Sequence, residues 1–163
     1  MNLPSRRTAM EFESTLRIID QSQVRKLPGV VQGQTVQPLV GVPESPSERV
    51  RVAVATFQPG VHEELHWHPI EVFYYVIRGS AIVRDYHGKE YPVGPGNAIY
   101  APAGIAGSHE WQVGSDGLQL LSVRAALEGH KRMQFTVDRE TRRSYIELDE
   151  LMKMEGVNFD SHY

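Results

Sequence analysis

Glycine and proline divide most of this chain into short segments, and their spacing is the feature that most restricts the fold. From residue 49 the sequence alternates cleanly, with Val50, Val52 and Val54 on one face of an extended segment. Breaks then recur about every 8 to 12 residues, which is typical of all-β sandwiches and barrels. The breaks fall at Pro59-Gly60, Gly79, His87-Gly88, residues 94–96, residues 102–104, Gly107 and residues 114–117.

The N-terminal third follows a looser pattern. Residues 1–33 are expected to form an arm with one or two helical turns over residues 20–27, with Asp20 or Ser22 as the N-cap. A short strand is expected at residues 18–19. Residues 35–42 fit an edge strand, the strand type that most readily admits Pro38.

The β pattern weakens after residue 124. Residues 133–137 fit one more strand. Residues 145–154, with apolar positions at 148, 151, 152 and 154, predict a C-terminal helix that ends at Gly156. The predicted organisation is therefore an arm with a short helix over residues 1–33, a β domain over residues 34–137, and an extension with a helix over residues 138–163.

Composition excludes several classes of function. The chain has 163 residues, a net charge of -3 and no block of like charges, so there is no electrostatic case for nucleic acid. It has no cysteine, which excludes disulfides, a cysteine nucleophile and thiolate metal ligands. The apolar runs are too short to span a membrane. No apolar stretch follows Arg6 and Arg7, so a cytoplasmic protein without a secretory signal is expected.

Two histidines alternate in the segment that follows Gly60. His66 and His68 stand at i and i+2, so on an extended strand both imidazoles point to the same side. His109 lies in a later segment that is also bounded by glycines, and it can supply a third nitrogen. The alternative is that these histidines line a pocket without binding metal.

The residues around these histidines resemble the two motifs of the cupin superfamily. Gly60, His66, His68 and Gly79 fit the first motif, and Gly96-Asn-Ala-Ile-Tyr-Ala-Pro-Ala-Gly fits the beginning of the second. The resemblance implies an antiparallel jelly-roll β-barrel with a divalent metal, Fe(II), Mn(II), Ni(II) or Zn(II), held by His66, His68 and His109. It also points to a homodimer, since cupins are often dimers and exposed edge strands need cover.

The chain departs from the family pattern at the carboxylate ligand. That ligand should fall at position 72, which is Val72, while Glu71 stands one residue early and needs a bulge to reach the metal. Glu71 is alternatively a carboxylate at the rim of the site. Strand parity places His62 and Glu64 on the face of His66, although a solvated loop is the alternative for both. With no carboxylate, the site is three histidines and water.

The same parity predicts the cavity walls. If Val72 faces inward, Tyr74 does too, and its phenol either serves the site or belongs to an aromatic core patch with Phe73 and Tyr75. Trp111 should share the face of His109. Val52, Val54 and Ile99 are expected to complete an apolar wall that suits a small organic ligand.

These residues favour an enzyme. The leading expectation is an Fe(II) dioxygenase-like reaction on a small organic substrate, with Tyr74 or Glu71 handling protons. Metal-dependent isomerases, epimerases and lyases are the alternative reactions, because a fold does not fix a function. A cupin that binds or senses a metabolite without turnover is the rival from another class.

Overall fold

The computed structural model describes residues 13–126 and 134–144, and nearly all of their regular structure is antiparallel β. Two 3₁₀ turns, Gln21–Gln23 and Ile105–Gly107, accompany the strands. The strands in chain order are β1 Leu27–Pro28, β2 Gln34–Val40, β3 Val50–Phe57, β4 His62–Trp67, β5 Val72–Asp85, β6 Glu90–Val93, β7 Ala98–Ala101, β8 His109–Ala125 and β9 Phe135–Thr136.

Two long strands, β5 and β8, run through both halves of the barrel. Residues 72–79 of β5 pair with residues 118–124 of β8, and β1, β2, β3 and β7 belong to this half. Residues 81–85 of β5 pair with residues 109–113 of β8, and β4, β6 and β9 belong to the other half. The register of β5 against β8 shifts between the halves, where both strands bend. The single antiparallel sheet therefore curls into a barrel of the jelly-roll type.

A close backbone crossing forms the corner between the two halves. Gly79 of β5 has a φ of +79° and packs so tightly on β8 that a Cβ there would lie 2.0 Å from the carbonyl oxygen of Gly117. Only glycine meets both conditions, because a side chain would be strained at this φ and would collide with backbone. The corner fixes how the two halves face each other.

The main hydrophobic core fills the space between the two halves. Val72, Tyr74 and Val76 point inward from β5, and none is more than 5% exposed. A smaller cluster, built from Leu65, Trp67, Phe135 and Val137, covers the other face of β4, where the rings of Trp67 and Phe135 stack at 4.7 Å. Strand β4 is thus covered on both faces, which buries the histidines that it carries.

The strand predictions hold better than the predictions for the N-terminal segment. The all-β barrel is confirmed, and the strands expected near residues 35–42 and 133–137 are observed as β2 and β9. The predicted helical turns over residues 20–27 shrink to one 3₁₀ turn at Gln21–Gln23, capped by Asp20, because the next residues turn into β1. Residues 18–19 form no strand. The predicted C-terminal helix over residues 145–154 lies outside the described residues.

Within the described residues, no helix has the length and hydropathy needed to cross a membrane.

Candidate metal centre

Three buried histidines meet inside the barrel. His66 lies near the end of β4, His68 follows that strand, and His109 opens β8 directly opposite His66 in the ladder. Their ring centroids are 4.4 to 5.4 Å apart, and each offers a nitrogen within 4.8 Å of those of the other two. None of the three is more than 4% exposed. The cluster predicted from the sequence is therefore assembled by the fold, and it could hold a metal ion.

Backbone carbonyls orient two of the rings. The Nδ1–H of His66 donates to the carbonyl oxygen of Glu64 at 2.7 Å, and the Nδ1–H of His109 donates to that of Gly107 at 2.8 Å. Each bond leaves Nε2 without a proton in the neutral ring, and this is the nitrogen that can bind a metal. The donor set therefore fits a divalent cation.

Burial keeps these two imidazoles neutral. It lowers the pKa of His66 from 6.5 to about 4, against the opposing effect of the hydrogen bond to Glu64. Burial also lowers the pKa of His109 to about 3, with a further contribution from the nearby His66. Neutral imidazole is the form that coordinates a metal, so neither ring has to lose a proton near pH 7 before it binds one.

The residue at position 72 contributes no charge to the cluster. Val72 is fully buried and faces inward with Tyr74, as parity predicts. Glu71 does not join the histidines. Its side chain is exposed, and its Oε1 accepts a hydrogen bond of 2.5 Å from the Tyr100 hydroxyl. Of the two alternatives for Glu71, its position just before β5 agrees with a carboxylate at the rim of the site rather than with one that a bulge turns inward.

A different glutamate lies beside the cluster. The pairing of β4 with β8 shifts between Glu63 and His66, and this irregularity places Glu63 on the inner face. Glu63 is 5% exposed, and its Oε1 lies 3.9 Å from Nε2 of His66. Burial raises the pKa of its carboxyl, although Gln134 Nε2 donates to Oε1 at 3.0 Å and opposes that effect. Regular strand alternation would have placed His62 and Glu64 on this inner face instead of Glu63.

The two residues that parity favoured lie on the outside. His62 places Nε2 2.7 Å from Oε1 of Glu110, and Glu64 is exposed. Glu110 is buried and also pairs with Arg84 and Arg139, so it belongs to an ion-pair network away from the histidine cluster. In a regular strand His62 would point into the barrel. The irregularity in β4 turns its side chain outward instead.

Tyr74 bridges two of the histidines. Its hydroxyl lies 3.1 Å from Nε2 of His109 and 3.2 Å from Nε2 of His68. Its ring packs edge-on against Trp111, with centroids 5.3 Å apart, and Trp111 in turn contacts His109. Burial raises the pKa of Tyr74, so the phenol keeps its proton near pH 7 and can donate it in a hydrogen bond. Phe73 and Tyr75, by contrast, are exposed on the outer face.

A cavity of about 390 Å³ adjoins the cluster. Glu63 and Tyr74, which contact the histidines, form part of its wall. Most of the wall is apolar, and it includes Val36, Val40, Val52, Ala53, Ala55, Phe57, Trp111 and Leu120. Val54 is buried but does not line it, because β3 turns Ala53 and Ala55 toward this cavity. Ile99, on β7, lines a different recess. Arg51 and Arg124 also face the cavity, and the sequence analysis did not anticipate either.

A second recess of about 440 Å³ reaches His109 from the side of β6 and β7. Its wall includes Tyr91, Ile99, Tyr100 and Ser108. The histidine cluster thus lies near two recesses on different sides of the barrel.

Comparison with known proteins agrees with this architecture. A family model described as "Cupin domain" matches residues 53–123, which contain all three histidines. No curated protein matches the chain. Residues 53–123 are therefore a cupin domain.

Several solved structures share the fold. The polyketide cyclase RemF from Streptomyces resistomycificus has a TM-score of 0.62 at 19% identity, over 83% of this chain and 89% of that one. An RmlC-like cupin from Shewanella frigidimarina has a TM-score of 0.57 at 16% identity, over 71% of this chain and 95% of that one. Oxalate decarboxylase from Bacillus subtilis has a TM-score of 0.59 at 26% identity, over 76% of this chain and 33% of that one. Enzymes are therefore present among the neighbours.

Proposed function

We propose that His66, His68 and His109 hold one divalent metal ion, with Fe(II) favoured over Mn(II), Ni(II) and Zn(II). Three imidazole nitrogens, two of them oriented by backbone carbonyls, support this proposal. A metal held there supplies Lewis acidity, and a redox-active one such as Fe(II) also supplies reactivity toward dioxygen.

We further propose that the protein is an enzyme that acts on a small organic molecule in the barrel cavity. The observation that carries this proposal is the contact between the cavity wall and the cluster. Glu63 approaches His66 to 3.9 Å, and the Tyr74 hydroxyl lies within 3.2 Å of two histidines. A substrate in the cavity would therefore meet the metal, a carboxylate and a phenol together.

A dioxygenase-like reaction is the first candidate. Among the described residues, no carboxylate joins the group of three histidine nitrogens that lie within 4.8 Å of one another, although Glu63 approaches His66 to 3.9 Å. A metal held by these three nitrogens alone would keep positions open for a substrate and dioxygen. The apolar walls hold the substrate in place, so that proximity contributes to the rate.

A metal-dependent lyase or isomerase reaction is the second candidate, and Glu63 specifically favours it. This carboxylate is buried beside the cluster and faces the cavity, where a base for a carbon-bound proton is needed. The Tyr74 hydroxyl is placed to donate a hydrogen bond to an oxygen on which charge develops.

One experiment separates these classes. Protein loaded with Fe(II) is tested for oxygen uptake with catechols, diketones and aminophenols, and in parallel for anaerobic exchange of substrate protons in D₂O. Oxygen uptake supports the dioxygenase-like reaction, and exchange that disappears in Glu63→Gln supports the lyase or isomerase reaction. If a compound of the panel binds stoichiometrically but causes neither oxygen uptake nor proton exchange, the protein binds or senses a metabolite without turnover.

The metal centre itself is tested by mutation. We expect about one divalent ion per chain, and His66→Ala combined with His68→Ala should abolish binding, with ligand nitrogens about 2.0–2.2 Å from the metal in the wild type. His87→Ala is the matched control, because His87 is an exposed turn residue. Full metal occupancy in the double variant, measured by elemental analysis, would overturn the assignment.

A further inference from the structure

Arg124 places a positive charge inside the barrel. It stands directly opposite Val72 in the ladder between β5 and β8, and Ser122 stands opposite Tyr74. Arg124 and Ser122 both line the main cavity. The charge of Arg124 influences the pKa of Glu63, His66 and Tyr74, so the guanidinium lies near the histidine cluster.

No carboxylate of the described residues pairs with this guanidinium. Its side-chain hydrogen-bond partners are both uncharged: Nε donates to Ser122 Oγ at 3.3 Å, and the guanidinium also donates to the Tyr74 hydroxyl. Val72, directly across the ladder, is apolar and offers no acceptor. Glu63 lines the same cavity, but its carboxylate accepts from Gln134 and forms no ion pair with Arg124. A charge on a mostly apolar wall is costly unless it finds a partner.

The charge of the cavity favours an anion. Among the described residues, its charged wall consists of Arg51, Arg124 and Glu63, so positive charge is in excess even before a metal ion is counted. A guanidinium is planar and presents paired N–H donors, a geometry that matches a carboxylate better than a single oxygen.

We infer that the cavity binds a small organic acid, whose carboxylate pairs with Arg124 while an oxygen at its other end faces the histidine cluster. This inference rests on the proposed function, because the second contact needs the metal. The body of the acid lies against Ala53, Ala55 and Leu120, and a cavity of about 390 Å³ limits it to roughly the size of one aromatic ring with its substituents.

Two matched pairs of probes test the inference. In each pair an acid is compared with its neutral amide: 3,4-dihydroxybenzoate with 3,4-dihydroxybenzamide on metal-loaded protein, and benzoate with benzamide on protein stripped by a chelator. Binding is followed by calorimetry and by the fluorescence of Trp111, which lines the cavity. We expect each acid to bind at least about tenfold more tightly than its amide, because a hydrogen bond to a charged acceptor is stronger than one to a neutral acceptor.

Variants then assign this preference to Arg124. Arg124→Gln should remove the preference for the acid, and Arg124→Lys should restore part of it. Arg78→Gln is the control, because it removes the same charge from an exposed position that does not line the cavity, and it should behave as wild type. Equal affinity for acid and amide, a preference that survives in Arg124→Gln, or no binding of either acid up to about 10 mM would each overturn the inference. Elemental analysis measures the metal content independently of these binding experiments. The comparison of benzoate with benzamide uses metal-free protein, so it tests Arg124 even if the chain binds no metal.

Discussion

Replacing Gly79 with alanine tests how tightly the barrel corner is built. The substitution places a side chain at a φ of +79°, which costs about 1–2 kcal/mol for an L residue. The new Cβ would also lie 2.0 Å from the carbonyl oxygen of Gly117, so the backbone must move by about 1 Å. Overpacking of this kind costs about 1–3 kcal/mol more. Gly79→Ala should therefore lower the free energy of unfolding by about 2–5 kcal/mol.

Gly88→Ala separates the two contributions. Gly88 has a similar φ of +83°, but nothing lies within 4 Å of the position that a Cβ would take there, so only the conformational cost of about 1–2 kcal/mol applies. Both variants are compared with wild type by urea titration, followed through the fluorescence of the buried Trp67 and Trp111. If the two substitutions destabilise the protein equally, the close crossing of β5 and β8 is not what makes glycine necessary.

Three further predictions concern the site and its assembly. Glu63→Gln should lower turnover of the metal-loaded protein by about 10²-fold while the metal stays bound. Glu71→Gln should leave turnover and metal content unchanged, because its carboxylate is exposed. Steady-state kinetics with the reverse pattern would contradict the role given to Glu63. In metal-free protein the folded-state pKa of His66, about 4, lies below its usual 6.5, so its stabilising effect is complete above pH 6.5 and is lost as the pH falls toward 4. The free energy of unfolding should fall by roughly 3 kcal/mol over this pH range. In His66→Gln, urea titrations should show a free energy of unfolding that depends less steeply on pH. An unchanged pH dependence would mean that another group is responsible. Homodimer formation stays a prediction. The exposed apolar side chains of Phe73 and Tyr75 on the outer face of β5 support it. Light scattering should give a mass of about twice 18.4 kDa, and Phe73→Glu should shift the measured mass toward that of the monomer.

Local spacing made two of the three histidines predictable, and the motif resemblance supplied His109. His66 and His68 stand two residues apart, and the strand conformation alone turns both rings to the same side. The inward positions of Val72 and Tyr74 followed from the same parity, counted back from Gly79. These predictions succeed because they depend on the two-residue repeat of a regular strand.

The carboxylate beside the histidines could not be found in this way. One irregularity between Glu63 and His66 reverses the parity of β4, so that Glu63 faces the cavity while His62 and Glu64 face outward. An irregularity of this kind arises from pairing with a distant strand, and the local sequence of β4 carries no glycine or proline that marks it. The exposure of Glu71 likewise depends on its bond to Tyr100, which lies 29 residues along the chain.

By itself, then, the sequence determined the β architecture, the absence of thiolate chemistry and the pairing of His66 with His68, because each depends on composition or on a repeat within a few residues. His109 was added by the resemblance of its segment to the second family motif. Only the tertiary structure decided which charges accompany those histidines. Glu63 enters the cavity through an irregular pairing with β8, and Arg124 stands opposite Val72 because of the register between two long strands. Register and irregular pairing are settled by packing between segments far apart in the chain, and the sequence of each segment alone does not contain them.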